Sequence, residues 1–183
     1  MADYDAKGDL QRYLQAGREA IVWKLEGLGE YDVRRPMVPT ATNLLGLVKH
    51  LAHMEAGYFG AVFGRPFLHP LLIEDLSEPN VEMWARPEES RQSVIDFYRA
   101  AWAHSDQTIS AHRLEDLGSV PWWPPDRRRT SLHRVLAHVV AETHRHAGQA
   151  DLVRELIDGA AGLNASNSNL PEQDRDWWQT YRT

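Results

Sequence analysis

The chain has 183 residues, enough for one domain with a sizeable core, and its 43% hydrophobic and 25% charged content is ordinary for a globular protein. A net charge of −6 and a pI near 5.8 argue against a nucleic-acid binder, whose mark is a basic stripe, and no apolar run is long enough to span a bilayer. With no cysteine there is no disulfide, no thiolate metal site and no cysteine nucleophile, so thiol chemistry would need a thiol from outside. Together with an acidic, non-apolar N-terminus this favours the cytoplasm.

Leu10, Leu14, Gly17, Ile21, Leu25 and Leu28 recur at helical spacing and predict a first helix, capped by Asp9 or an earlier Asp and ended at Gly27 or Gly29. Residues 30–38 read as a polar connection closed by Pro36. A second helix is predicted from Thr40 or Thr42 to Phe63, with Thr42 as N-cap and Gly64 just past its end. Its apolar face holds Leu44, Leu47, Val48, Leu51, Met54, Tyr58 and Val62. His50 shares a second line with Asn43, Gly46, Gly57 and Ala61. A glycine inside a helix costs about 1 kcal/mol against alanine, so two on one line imply close approach of another helix or a ligand. His50 is therefore preferred over His53, which points further toward solvent.

Residues 65–86 carry Pro66, Pro70 and Pro79 and no sustained period, a long connection of the kind that often covers a site. It brings in His69, Glu74, Asp75 and Trp84, of which His69 is the extra polar group to watch. A third helix is predicted from Pro87, with Glu88 and Glu89 in its first turn and a face of Val94, Ile95, Tyr98, Ala101, Trp102, Ser105 and Ile109. His104 falls off that face toward solvent, and His112 lies near the helix end. In the second long connection, residues 113–129, prolines hold Trp122 and Trp123, either as a plug at one end of the bundle or as a pocket wall. The basic run Arg127, Arg128 and Arg129 reads as a solvated loop, or as a greeting for an acidic substrate.

Thr130 or Ser131 caps a fourth helix that Gly159 ends. Leu132, Leu136, Val139, Thr143, Ala150, Val153 and Ile157 form its stripe, and His146 falls in the gap between Thr143 and Ala150. At roughly 100° per residue, Glu142 lies about 40° from His146 and His138 about 80°. Burying an imidazole and a carboxylate without partners would cost several kcal/mol. A divalent metal suits both; a His–Glu hydrogen bond within the core, or a wetter helix edge, would also serve. Residues 160–183 are small and polar until Asp176, Trp177, Trp178 and Tyr181, and are expected to pack on the bundle or on a second subunit. No repeat or domain boundary interrupts the chain, so residues 1–183 read as one domain.

Three segments carry a family resemblance: Thr42 to Ala52 with Glu55-Ala56-Gly57-Tyr58-Phe59; Gly64-Arg65-Pro66 and Val120-Pro121-Trp122-Trp123; and Ala141 to Asp151. In these the chain resembles the DinB-like family over about residues 5–160. The resemblance implies an all-α four-helix bundle, up-down-down-up, with a long crossover between the second and third helices. It implies a divalent metal, zinc or nickel, on His50, Glu142 and His146, and a homodimer formed through helix packing. His138 then becomes a supporting residue, as do His53 and Gln149, with Gln149 a candidate to orient a ligand. Two histidines and a carboxylate with an open position is the layout of catalytic rather than structural zinc.

Relatives in this family include mycothiol-dependent maleylpyruvate isomerase and thiol S-transferases using mycothiol or bacillithiol. The implied activity is a low-molecular-weight thiol, activated at the metal, attacking a small electrophile in a pocket shaped by Trp122 and Trp123. Residues 160–183 stand where the isomerase carries a further domain, which counts against that particular isomerisation. A metal-dependent hydrolase is the second reading, with Glu55 and Tyr58 as candidate catalytic residues and Glu55 as the base; a structural carboxylate is the alternative for Glu55. A non-enzymatic, metal-stabilised dimer is the third. No nucleic acid and no membrane is expected as a partner.

Overall fold

The helix ends are set by short polar side chains and by glycines. In the computed structural model, which describes residues 5–73, 75, 77–168 and 180, Asp5 caps α1 (Ala6–Trp23) by accepting from the Gly8 N–H. Asn43 caps α3 (Leu44–Glu55), Ser90 caps α4 (Arg91–Ala111) and Ser131 caps α5 (Leu132–Asp158), each accepting from a first-turn N–H. Such caps stabilise by roughly 1 kcal/mol apiece. Gly64 at φ 67° and Gly159 at φ 82° take the left-handed turn that ends the second and last long helical segments, as their positions predicted. A short helix, α2 (Glu30–Arg34), and a two-stranded ribbon, β1 (Leu117–Ser119) against β2 (Arg129–Ser131), complete the elements.

The protein is mostly helical. α1 packs on α5, and α3 packs on both α4 and α5. Buried Ile21, Leu25, Leu44, Leu47, Val48, Leu51, Val94, Phe97, Tyr98 and Val153 form one apolar cluster. Leu14, Tyr58, Phe59, Val62, Ile109, Leu132, Leu136 and Val139 form a second. Met54 packs against both, so the two clusters meet at its level on α3. Among the described residues no helix is long and apolar enough to cross a membrane.

The structure corrects several expectations. The third predicted helix begins at Arg91 rather than Pro87, because Ser90 supplies the cap. Glu89 consequently leaves the first turn and is buried against Lys49. The polar connection after α1 contains α2, and the connection bearing the tryptophans contains the β-ribbon. The second predicted helix does not run evenly to Phe63: a five-residue π-helical turn, Ala56–Gly60, follows α3, and a 3₁₀ turn, Ala61–Phe63, follows that. Gly57 and Gly60 sit in the π turn, where their missing side chains make room for Trp122 and for the returning backbone at Arg65 and Phe67.

The crossover between α3 and α4 is strapped onto α3 at three points. The buried Lys49 ammonium donates to both Glu89 oxygens, at 2.9 and 2.8 Å, and to the Trp84 carbonyl at 2.9 Å. His53 holds Ile73, as described below. Gly46 admits the 3₁₀ turn Val81–Met83, since a Cβ there would run into the Met83 carbonyl. Gly46→Ala is therefore expected to destabilise by about 1–3 kcal/mol and to lift that turn off α3. A lowered urea midpoint with an unchanged slope would show it; an unchanged midpoint would contradict the strap.

Past Gly159 the chain returns to α1: the Gly162 N–H donates to Asp151 at 2.8 Å, and the buried Lys24 ammonium binds Asp151 and the Gly162 carbonyl. The aromatic end of the tail, Asp176, Trp177, Trp178 and Tyr181, lies outside the described residues, as does Glu74.

Candidate active site

α3 and α5 bring His50, Glu142 and His146 together. The His50 and His146 rings meet edge to face with centroids 4.9 Å apart. The nearest Glu142 oxygen is 3.7 Å from His146 Nε2. His146 is 8% exposed, in keeping with its place in the stripe of α5. Each histidine has an oxygen on its Nδ1 side. His50 Nδ1 donates to Glu82 Oε1 at 3.2 Å, and His146 Nδ1 donates to Gln149 Oε1 at 2.7 Å. Both Nδ1 atoms are thereby engaged, which leaves Nε2 of each ring as the nitrogen open to a further partner. Burial, and then the neighbouring His146, hold His50 below its ordinary value, against Glu82 and Glu142. A neutral imidazole is the form that binds metal.

Gln149 reaches His146 from the next turn of α5, whereas Glu82 had no signal in the sequence. It lies in the aperiodic crossover, in a single turn entered through Asn80 at φ 60°. Only the folding of that turn onto Gly46 brings it to His50. A glycine line beside a helix histidine was the one available hint that something packs there.

These groups form one wall of a cavity of about 370 Å³, lined also by His53, Met54, Gly57, Tyr58, Trp122 and His138. Trp122 is half exposed, and its ring edge lies 3.2 Å from where a Gly57 Cβ would stand. Trp123 does not line the cavity; its indole N–H donates to the Tyr58 hydroxyl at 3.1 Å, and the Trp122 N–H does so at 3.4 Å. His138 packs edge-on against Tyr58 and Trp123, with centroids 5.0 and 5.8 Å away. Arg145 lies 3.7 Å from Glu142, and Arg128 donates to the Trp123 carbonyl at 3.0 Å.

One expected site residue is used elsewhere, and another lines the cavity while its ring nitrogens are engaged by backbone. Glu55 is fully buried on the far side of α3, where Arg18 Nε and Nη2 donate to its two oxygens at 2.8 and 2.5 Å. It does not line the cavity, so the reading of Glu55 as a base is corrected to that of a structural carboxylate. His53 is not turned to solvent. It is 7% exposed, its Nδ1 donates to the Lys49 carbonyl at 2.8 Å, and its Nε2 accepts from the Ile73 N–H at 3.0 Å. The crossover lying over α3, which no helical wheel contains, buries it. His69 also stays away from the cavity, stacked on Phe97 at 4.7 Å, and His104 is half-buried rather than exposed.

The two bonds of His53 require a neutral ring. Burial lowers its pKa from the ordinary 6.5, with the Lys49 charge and His50 acting in the same sense and the Lys49 carbonyl and Glu82 opposing. A lowered folded-state value means that the His53 contribution is complete above about 6.5 and is lost as pH falls through the folded value. Protection of the Ile73 amide from hydrogen exchange, corrected for intrinsic rate, is expected to fall on acidification below that point. In His53→Ala it should be low throughout; protection independent of pH in the wild type would contradict this.

The donor set agrees in kind with a divalent ion: two imidazoles with free Nε2 atoms and a carboxylate. As placed, the three meet in pairs, and among the described residues no group of three His, Asp or Glu side chains surrounds a common point. What the fold and this wall define is a helical protein with a histidine–carboxylate pocket between two helices, flanked by aromatic rings. The chain matches the family model of the mycothiol-S-transferases over residues 9–159 and belongs to that family, a DinB-like one. No curated protein matches it in sequence.

Proposed function

We propose that this chain is a thiol S-transferase that takes a low-molecular-weight thiol of the mycothiol class and transfers it to a small electrophile in the cavity beside His50. The observation that carries the reading is the meeting of His50, Glu142 and His146 from two helices at one cavity wall, in a chain of this family. His50, Glu142 and His146 would hold a zinc or nickel ion. Such an ion, when bound, makes a thiolate available near neutral pH. Glu82 and Gln149 fix the two rings through their Nδ1 protons. Met54, Gly57 and Trp122 add an apolar surface to the same cavity, suited to the carbon skeleton of an electrophile. Pairing of two copies and a cytoplasmic setting belong to the same reading.

The hydrolase alternative loses its base, because Glu55 is occupied by Arg18. The test is turnover of 1-chloro-2,4-dinitrobenzene with and without mycothiol. Formation of the thioether only when the thiol is present, and its loss in Glu142→Ala, is the expected result. Turnover without thiol, or undiminished rates in Glu142→Ala, would refute the proposal.

A further inference from the structure

Tyr58 occupies an unusual position both in the backbone and in its hydrogen bonds. It sits in the π-helical turn Ala56–Gly60, a geometry that is rare and is found disproportionately at functional sites. Its side chain is 8% exposed, lines the cavity with Trp122 and His138, and is therefore directed at the same space as His50 and Glu142. Its hydroxyl oxygen accepts from two indole N–H groups, Trp123 at 3.1 Å and Trp122 at 3.4 Å. An indole N–H can only donate, and a phenol oxygen has two lone pairs to offer. Both are taken. The one function left to the hydroxyl is to donate its own proton, and no described residue accepts it.

A packing tyrosine needs none of this. Two donors aimed at one phenol oxygen stabilise negative charge on that oxygen and strengthen the O–H as a donor. The same arrangement serves an oxyanion hole, with the phenol added as the group that hands over the proton. The Pro121 to Pro125 segment places both indoles, so the loop that looked like a plug supports one side-chain oxygen.

We infer that Tyr58 is a catalytic proton donor, and that the electrophile is one whose bond to oxygen opens or whose oxygen gains charge, an epoxide being the simplest. This rests on the thiol-transfer reading. The thiolate sulfur forms a bond to an epoxide carbon, and the carbon–oxygen bond breaks with its electron pair going to oxygen. That oxygen takes the Tyr58 proton. The tyrosinate, held by the two indole N–H groups, takes the proton that the next thiol gives up on becoming a thiolate. Over one turnover thiol and epoxide become a hydroxy thioether, and no proton is gained or lost.

The experiment compares wild type, Tyr58→Phe and Trp123→Phe on two electrophiles with mycothiol: styrene oxide, whose leaving oxygen needs a proton, and benzyl chloride, which has no oxygen and whose chloride leaves unprotonated. Tyr58→Phe is expected to lose about 100-fold in kcat/KM on styrene oxide, the low end for general acid catalysis, and less than about threefold on the chloride. Trp123→Phe should show a smaller loss with the same selectivity. Equal losses on both electrophiles, or none on either, would overturn the assignment. Wild type inert toward both would defeat the thiol-transfer reading, and Tyr58 is then judged by binding alone. Styrene oxide without thiol, followed by quenching of tryptophan fluorescence, should bind about fivefold more weakly to Tyr58→Phe. Equal binding, or no binding to wild type, would overturn the proton-donor role.

Discussion

Arg18→Met is expected to cost about 3–5 kcal/mol of folding stability, the usual consequence of stranding one member of a buried ion pair. Arg18 is 1% exposed, bridges Glu55 on α3, and reaches Asp106 on α4 at 2.8 Å, so it ties three helices together. Burial alone would lower the Arg18 pKa. The charge and hydrogen bond of Glu55, and then Asp106, outweigh it and leave the guanidinium above its ordinary value. On Glu55 burial raises the pKa and Arg18 opposes, so removing Arg18 leaves burial unopposed. For a domain of this size the melting temperature should fall by roughly 10 °C. Pairing the change with Glu55→Leu should restore most of the loss, because an apolar pair has no charge to strand. A thermal melt of the single and double variants decides it. An unchanged melting temperature in Arg18→Met would show that the pair contributes nothing.

The second large effect is on activity. His146→Ala is expected to lower kcat/KM for thiol transfer by about 10³-fold, some 4 kcal/mol of transition-state stabilisation, with the helical circular dichroism unchanged. His146 touches both His50 and Glu142, so its removal leaves those two groups without their common neighbour. Gln149→Ala should cost far less, of the order of 10-fold, because it acts only by holding Nδ1 of His146. Initial rates on chlorodinitrobenzene measure both. Equal losses in the two variants would mean that the ring's orientation, rather than its free nitrogen, is what matters.

How much of this could be read beforehand depended on whether the signal was local. The stripe of α5 placed His146 in the core because a 3.6-residue period needs no knowledge of the partner. Ser131, Gly64 and Gly159 were legible for the same reason: a cap or a left-handed turn acts within a few residues. The start of α4 was missed because Pro87 and the two glutamates imitate a first turn, although Ser90 caps the helix and Glu89 turns inward to Lys49.

Glu82, the orientation of His53 and the partner of Glu55 were not legible. Each depends on where a distant segment comes to rest: the crossover on α3, or α1 on the far side of it. The π turn is a different case. Gly57 and Gly60 permit it, but nothing in a period of apolar residues distinguishes five residues of π helix from five of α helix.

The most direct test of the proposed site is metal content by elemental mass spectrometry on untagged protein, in wild type, His50→Ala and His146→Ala. About one zinc or nickel per chain is expected in wild type, with its loss from both variants while the helical signal persists. Wild type that takes up neither metal when zinc and nickel are supplied would contradict this, and would leave His50, Glu142 and His146 as a polar feature of the packing between α3 and α5.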